Sequence, residues 1–424
     1  MQKIVDRNVY LNKLIDRMDN GEVKIITGSR RCGKSWLLKK VFKSYLLSQG
    51  VPEENIIIVS LDIEDEDSVE DFSSRETLKK FLYSQIKSET EQYYVFLDEI
   101  QEVEGFERLV NGLAAKDNVD VYITGSNSKF LSSDIRTIFR GRGEEIRIYP
   151  FSFKEFCTNR SEDVHTLWKE YYTYGGMPGL LKQKTPAMKA SYLKNLWDKT
   201  YIDDVVERNH VKNKMALCSM VDAMCSSVGS LVNPTKLSNT MKTVQKVKID
   251  DETVGDYIRF LENSFLFEGA RRYNIKGKKY FETIQKYYAV DVGLRNARLN
   301  FRQQEITHIM ENIIFNELKH QGYAVDIGII EVREKTKLSQ SAKKQLEIDF
   351  IARKGSKKYY IQSAFAMSSA EKEYFEKRPL LIINDSFKKV IIIGSYAKPR
   401  QDENGITTIG LRNFLKDASI LEYL

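Results

Sequence analysis

A complete phosphate-binding loop is the feature that most constrains this sequence. Residues 28–35 read Gly-Ser-Arg-Arg-Cys-Gly-Lys-Ser, with the apolar run Val23–Thr27 before them and a helical pattern beginning at Trp36. A strand, a glycine-rich loop and a helix in this order place backbone N–H groups and the positive end of a helix around a phosphate. The sequence therefore predicts that the chain binds a nucleoside triphosphate.

The loop residues have separate expected roles. We expect Lys34 to reach the β- and γ-phosphates and Ser35 to ligate magnesium. The expected ligands are therefore ATP and Mg²⁺. The other residues expected to contact the nucleotide here are Gly28, Ser29, Arg30, Arg31, Cys32, Gly33 and Trp36.

An acidic pair follows a second apolar run at residues 93–97. We expect Asp98 to hold the magnesium shell and Glu99 to polarise the attacking water, because phosphoryl transfer to water needs a positioned base and neutralised charge. A further predicted strand ends at Thr124. A polar side chain just after it, Ser126 or Asn127, is expected to contact the γ-phosphate.

The alternation of β-branched runs with amphipathic stretches up to residue 150 predicts a parallel α/β domain, with strands at 23–27, 56–61, 94–97 and 119–124. An aromatic-rich helical segment predicts a lid. Three helices and a hairpin then predict a winged helix, in which Asn233 and Pro234 start the second helix. A final α/β domain has predicted strands at 347–352, 358–362, 380–383 and 390–393. The expected domains are 1–150, 151–213, 214–300 and 301–424.

Composition narrows the class of protein. Hydrophobic residues make up 42% and charged residues 29% of the 424 residues, which is ordinary for a globular protein. The sequence has no apolar run long enough for a membrane span and no apolar segment of a secretory signal at its start, so we expect a cytoplasmic location without membrane contact. The four cysteines and four histidines are scattered, which argues against a zinc site. The net charge of +7 permits a nucleic-acid partner without requiring one.

Several segments together resemble a known family, the bacterial P-loop ATPases of the AAA and STAND-related group that carry a C-terminal domain of uncharacterised function. The resemblance implies ATP hydrolysis, a homo-oligomer and an arginine finger at Arg142, chosen among Arg136, Arg140 and Arg142. It also implies that Pro178 packs near the adenine and that Arg7 and Tyr10 flank the base. The matching segments are the phosphate loop and residues 97–101, 124–128, 141–142, 149–156 and 174–178.

The resemblance continues more loosely to a winged helix and a fold similar to restriction endonucleases. A nuclease of that fold needs clustered carboxylates for magnesium and a lysine that orients water. Glu311 and Asp349 supply carboxylates, but Gln362 stands at the position of a further acid and Ala364 at that of the lysine. We therefore expect a catalytically degenerate domain. The lysines that remain as substitutes are Lys354, Lys357 and Lys358.

Three functions stay open at this stage. The first is an ATPase that acts on DNA without reading its sequence, through basic residues of the hairpin and of residues 333–358. The second is an ATP-gated scaffold or switch that binds protein, which the acidic third helix of the winged-helix segment permits. The third is an ATP-regulated nuclease, which Gln362 and Ala364 disfavour. The hairpin residues are Arg271, Arg272, Lys276, Lys278 and Lys279.

Overall fold

The chain divides into two compact units. The first comprises Met1–Pro150 with Asn263–Phe265, and the second comprises Phe151–Glu262 with Leu266–Leu424. The computed structural model describes residues 5, 7–61, 72, 74–125, 139, 141–243, 249–303, 305–335, 341–367, 369–417 and 419–423.

The first unit contains a five-stranded parallel sheet in the order β2-β3-β4-β1-β5. The parallel α/β fold predicted from the sequence is therefore confirmed. Its strands are β1 (Val23–Thr27), β2 (Ile56–Ser60), β3 (Tyr93–Asp98), β4 (Val119–Gly125) and β5 (Gly143–Arg147). Its α-helices are Asn8–Ile15, Lys34–Trp36, Lys43–Ser48, Arg75–Gln85 and Phe106–Ala114, with 3₁₀ turns at Glu53–Asn55 and Ile100–Glu102 and a π-helix at Leu37–Phe42.

Helices cover both faces of this sheet, which explains why its inner strands are apolar along their whole length. Every residue of β1, β3 and β4 is buried. Val23 and Ile25 pack in one hydrophobic cluster with Leu78 and Phe106, whereas Ile26 packs in the other with Leu37. The sheet thus has a core on each side and leaves the carboxyl ends of its strands to carry polar residues.

The second unit is built on a nine-stranded mixed sheet in the order β13-β14-β12-β11-β10-β9-β7-β8-β6. Its strands are β6 (Leu231–Val232), β7 (Phe267–Asn274), β8 (Lys279–Ala289), β9 (Ala324–Lys335), β10 (Ser341–Lys354), β11 (Lys357–Ala364), β12 (Lys388–Ile393), β13 (Arg400–Gln401) and β14 (Ile406–Gly410). Its α-helices are Phe153–Cys157, Val164–Tyr174, Pro186–Leu196, Ile202–Arg208, Lys214–Ser226, Pro234–Thr243, Asp251–Asn263, Val292–Arg298, Ile306–His320, Ala370–Ile382, Leu411–Lys416 and Ile420–Tyr423, with a 3₁₀ turn at Pro178–Lys182 and a π-helix at Trp197–Tyr201.

Strands from both sides of residue 300 are neighbours in this sheet. The hairpin β7–β8 is present, and β7 pairs in parallel with β9, with Tyr273 opposite Gly328. The helix Pro234–Thr243 also begins as expected, because the N–H of Thr235 donates to Oδ1 of Asn233 (3.0 Å). The segments expected to form the lid, the winged helix and the nuclease-like domain all belong to the second unit.

One predicted strand is wrong. Residues 380–382 lie in the helix Ala370–Ile382, whose N-cap Ser369 accepts a hydrogen bond from the N–H of Lys372. A short apolar run does not distinguish a strand from the buried end of a helix, and the cap that starts this helix lies eleven residues earlier in the sequence. Strand β9 was not predicted at all.

A buried aspartate holds the glycine pair of the segment 174–178 in the second unit. Asp291 accepts hydrogen bonds from the N–H of Gly176 (2.7 Å) and from that of Leu294 (2.9 Å), and burial raises its pKa to about 6. The helix Val292–Arg298 approaches the end of the helix Val164–Tyr174 so closely that a Cβ on Gly293 would lie 1.7 Å from the carbonyl oxygen of Tyr174. Among the described helices, none is both long and apolar enough to cross a membrane.

We predict that Gly293→Ala lowers the free energy of unfolding by about 2 kcal/mol or more, because the added methyl group overlaps backbone that cannot move away. The control is Gly255→Ala, in a helix where an added Cβ meets nothing within 4 Å. That variant should gain about 0.5–1 kcal/mol from helix propensity. Urea unfolding of the full chain gives both values, and equal midpoints for the two variants would contradict the packing argument.

Candidate functional site

The phosphate loop connects the end of β1 to a helix and depends on its two glycines. Gly28 has φ 146°, and a Cβ there would lie 2.4 Å from the carbonyl oxygen of Ile148. Gly33 has φ 102° and precedes the helix Lys34–Trp36. Both conformations favour glycine, so the loop can fold back closely enough for its N–H groups to surround an anion.

Lys34 is buried, and its ammonium group is held inside the loop. Its Nζ donates to the carbonyl oxygens of Gly28 (3.1 Å) and Ser29 (3.2 Å) and lies 3.6 Å from Oε1 of Glu99. Within the described residues, the buried Oγ of Ser29 has no hydrogen-bond partner. A buried hydroxyl of this kind is costly unless a ligand satisfies it, which fits a phosphate oxygen at the loop.

The carboxylate of Asp98, at the end of β3, is contacted by three side chains. Its Oδ1 accepts hydrogen bonds from Oγ of Ser35 (3.0 Å) and from Oγ1 of Thr124 (2.5 Å). Its Oδ2 lies 2.8 Å from Nζ of Lys39. The structure therefore brings the two predicted magnesium ligands, Ser35 and Asp98, into direct contact. Thr124 and Lys39 were missed as site residues, because Lys39 belongs to no recognised motif and the segment that begins at Thr124 pointed instead to Ser126 or Asn127.

Glu99 directly follows the strand and turns its backbone into the left-handed region, with φ 53°. Its N–H donates to Oγ1 of Thr124 (2.9 Å), and its Oε2 accepts from Nε2 of Gln101. Only 15% of the side chain is exposed. The carboxylate is thus oriented by a neighbouring amide and by the ammonium group of Lys34, as a positioned base requires.

The donor set fits a magnesium ion. Ser35 and Asp98 would hold it, since a hydroxyl and a carboxylate are oxygen ligands of the kind that Mg²⁺ takes beside nucleotide phosphates. When bound, the ion supplies neutralisation of the phosphate charge.

Arg7 and Tyr10 support the phosphate loop. Arg7 is 2% and Tyr10 0% exposed, so both are enclosed by protein. The guanidinium group of Arg7 donates to the carbonyl oxygens of Cys32 (2.9 Å) and Tyr149 (2.6 Å) and lies over the ring of Tyr10 at 4.6 Å. These contacts tie the loop to the segment after β5. The sequence suggested contact with the base and gave no sign of this arrangement.

Of the other residues predicted for the nucleotide site, Arg142 lies apart from the phosphate loop of its own chain. Arg142 is exposed at the start of β5, where its carbonyl oxygen accepts from the N–H of Val23 (2.7 Å). Because β5 runs parallel to β1, this position is at the amino-terminal end of the strands. The phosphate loop of the same chain lies at their carboxyl end, about 17 Å away. Pro178 belongs to the second unit. Ser126, Asn127, Arg136 and Arg140 lie outside the described residues.

The loop residues Arg30, Arg31 and Trp36 are at least partly open to solvent, and Trp36 is 37% exposed. Cys32 is fully buried, and its Sγ lies 3.8 Å from the carbonyl oxygen of Ile148. Cys32 therefore packs the loop against the protein from inside, and its contribution to the site is through its backbone.

The second unit contains a compact group of charged residues around a lysine that the sequence analysis did not identify. Nζ of Lys286, on β8, lies 3.0 Å from Oε1 of Glu311 and 2.6 Å from Oε1 of Glu347. The hydroxyl of Tyr288 donates to Oε1 of Glu311 (2.7 Å), and Oδ2 of Asp349 accepts from the N–H of Ser363 (2.7 Å). A buried lysine thus lies between the carboxylates of Glu311 and Glu347, and the charges of Glu311 and Lys286 act on Asp349.

Burial and charge oppose each other in this group. Burial works to lower the pKa of Lys286, but the carboxylates of Glu311, Asp349 and Glu347 outweigh it and raise the pKa. Burial, followed by the charge of Glu311, raises the pKa of Asp349 well above its usual value. Across the described part of the chain, no group of three or more His, Cys, Asp or Glu side chains is arranged to hold a metal ion.

Gln362 is buried on β11, with no hydrogen-bond partner for its Oε1 among the described residues. The lysines considered as substitutes have partners elsewhere. Lys354 and Lys357 pair with Glu422 (3.5 and 3.0 Å). Lys358 lies 3.8 Å from Asp385. None of these three contacts involves Glu311 or Asp349.

Two parts of the chain match known domain families. Residues 20–157 match the family described as an AAA domain, and residues 165–305 match a domain of unknown function, DUF8612. A protein of Haemophilus influenzae, described as an uncharacterized protein, is 36% identical over 417 residues, which cover 97% of this chain and 98% of its own. The chain belongs to the same family as this protein.

The second relative is described as uncharacterized protein MJ1544 of Methanocaldococcus jannaschii. It is 27% identical over 387 residues, which cover 88% of this chain and 80% of its own. A solved structure of the Aeropyrum pernix ORC1 protein in complex with DNA is 13% identical, with a TM-score of 0.29, and the match covers 71% of this chain and 94% of that one. At that TM-score the likeness supports no inference about function.

We predict that Thr124→Val lowers the rate of ATP hydrolysis about tenfold or more while nucleotide binding changes little, because Asp98 loses a donor and the N–H of Glu99 loses its acceptor. The control is Thr124→Ser, which keeps the hydroxyl group. Steady-state hydrolysis and equilibrium nucleotide binding separate the two effects. Normal turnover in the valine variant would show that Thr124 does not position the acids.

Proposed function

We propose that this protein hydrolyses ATP with magnesium and uses the cycle to act on DNA. The observation that carries the ATPase part is the set of contacts joining Lys34, Ser35, Asp98 and Glu99 at the carboxyl edge of the first sheet. The match of residues 20–157 to an AAA domain supports it.

In the proposed reaction each residue has a distinct task. Lys34 exchanges the carbonyl groups of Gly28 and Ser29 for phosphate oxygens and neutralises their charge. Glu99, oriented by Gln101, accepts the proton of the attacking water. Ser35 and Asp98 hold the magnesium shell. Thr124 keeps the two acids in register across β3 and β4.

We predict that Lys34→Ala abolishes nucleotide binding, whereas Glu99→Gln retains binding and loses turnover by about 100-fold or more, because the first change removes phosphate charge and the second only the base. Fluorescence binding of an ATP analogue and a phosphate-release assay measure the two effects. Hydrolysis at the normal rate by the Glu99→Gln protein would refute the assignment of the base.

Arg142 is proposed to act on the nucleotide of a neighbouring subunit. Its place at the edge opposite the phosphate loop rules out contact with the loop of its own chain in this structure, and its exposed side chain fits a contact between chains. An arginine supplied from a neighbour stabilises charge in the transition state. This proposal includes a homo-oligomer, as the sequence suggested.

The proposed DNA contact lies on two hairpins of the second unit, formed by the antiparallel pairs β7–β8 and β9–β10. Some predicted basic residues are engaged elsewhere, since Arg272 is buried and donates to Gln345 (2.8 Å) and Arg353 pairs with Asp326 (2.8 Å). β7 and β9 run side by side, so both hairpins point the same way. Among the described residues, the exposed basic side chains on these hairpins include those of Arg271, Lys276, Lys278, Lys279, Arg333, Lys343 and Lys344.

These hairpin residues belong to two adjacent pairs of strands, with Lys343 opposite Arg333 in the β9–β10 ladder. Cations in such an arrangement bind the phosphate backbone without reading bases.

We also propose that the group of charged residues around Lys286 has no nuclease activity. The ammonium group of Lys286 already occupies the space between Glu311 and Glu347.

We predict that the protein binds duplex DNA at low salt and that Lys276→Ala/Lys278→Ala/Lys279→Ala reduces the slope of log affinity against log salt by about 3, since each lost phosphate contact removes roughly 0.9. The control is Lys354→Ala/Lys357→Ala, whose lysines pair with Glu422. Fluorescence anisotropy at several salt concentrations gives the slopes.

The same protein should leave the DNA uncut with magnesium or manganese. Cleavage that survives Lys34→Ala and is lost on Asp349→Ala would show an active nuclease. Absence of any binding at low salt would overturn the DNA proposal and favour a protein-binding switch, for which the exposed aromatic pair Tyr374 and Phe375 offers a surface.

A further inference from the structure

Lys39 lies inside the nucleotide site, five residues after the lysine of the phosphate loop. It belongs to the π-helix Leu37–Phe42, and π-helical turns within longer helices are frequent at functional sites. Its Nζ lies 2.8 Å from Oδ2 of Asp98, and 22% of its side chain is exposed. A lysine therefore occupies the side of the aspartate that Ser35 and Thr124 leave open.

Both acids of the site are ion-paired with a lysine. Lys34 forms an ion pair with Glu99, and Lys39 forms one with Asp98. The charge of Lys34 is needed on the phosphates, whereas that of Lys39 is directed at the carboxylate expected to hold magnesium. A cation at this position neutralises Asp98 and repels a second cation, and such effects are strong where the groups are only partly solvated.

We propose that Lys39 competes with magnesium for Asp98 and thereby sets how strongly nucleotide binding depends on the ion. The inference rests on the proposed ATPase function. Lys39 also donates a hydrogen bond to Oγ of Ser60, at the carboxyl end of β2. Ser60 gives the ammonium group a second acceptor, which would hold Lys39 at the end of β2 if Asp98 bound the ion.

The test is the magnesium dependence of nucleotide binding, measured with the full chain and a fluorescent ATP analogue. For each variant, the dissociation constant in EDTA is divided by that in saturating magnesium, and this ratio measures what the ion contributes. Lys39→Met should raise the ratio about tenfold, because Oδ2 of Asp98 becomes available to the ion. Lys39→Arg, which keeps the charge, should stay near the wild-type ratio.

Two further variants make the test specific. Lys40→Met removes an equal charge from the exposed neighbouring residue and should leave the ratio unchanged. Ser60→Ala removes the second acceptor, so Lys39 should hold Asp98 more firmly and the ratio should fall. Thermal unfolding of each variant without nucleotide checks that the fold is intact, and Ser60→Ala tests the idea even if Lys39→Met fails to fold.

The outcomes separate the inference from the proposed function. A ratio that is unchanged or lower in Lys39→Met overturns the competition, and so does a loss of binding by this folded variant in both EDTA and magnesium, because Lys39 would then serve the nucleotide directly. If the wild-type protein binds no nucleotide in either condition, the proposed ATPase function falls together with the inference.

Discussion

The carboxylate of Asp98 joins the carboxyl ends of the strands that form the first site. It ends β3, accepts from Thr124 of β4 and from Ser35 of the loop after β1, and pairs with Lys39, which also reaches Ser60 of β2. The ends of four strands are therefore linked through one charged group and the lysine that pairs with it. Because hydrogen bonds to a charged group are stronger than neutral ones, this arrangement fixes the site more firmly than loop packing alone.

The sequence predicted the parts of this site that are formed by consecutive residues. The phosphate loop and the acidic pair after β3 each follow from a short motif and its flanking apolar run, and the strands 23–27 and 119–124 agree with β1 and β4 within one residue. Apolar strands between turn residues are recognisable because a parallel sheet buried on both faces leaves few polar positions.

Contacts between distant residues were not predictable in the same way. Lys39, Thr124 and Arg7 have roles that depend on partners in other elements. A single lysine or threonine within a helix or strand has no sequence pattern that predicts such a contact. β5 was missed because its sequence Gly-Glu-Glu-Ile-Arg is mostly polar. Lys286 was missed because the nuclease pattern places its lysine on the strand of Gln362, whereas β8 lies beyond β9 and β7 in the sheet.

The continuous sheet of the second unit determines where the chain can be divided into fragments. β6, β7 and β8 precede residue 300 and the other six strands follow it, and β7 and β9 lie next to each other. A cut near residue 300 would break the three-residue pairing of β7 with β9 and leave each fragment with an unpaired strand edge, which is a template for aggregation. We therefore expect fragments from such a cut to be insoluble. Shorter versions of the protein are better divided near residue 150, where the main segment of the first unit ends and the second unit begins.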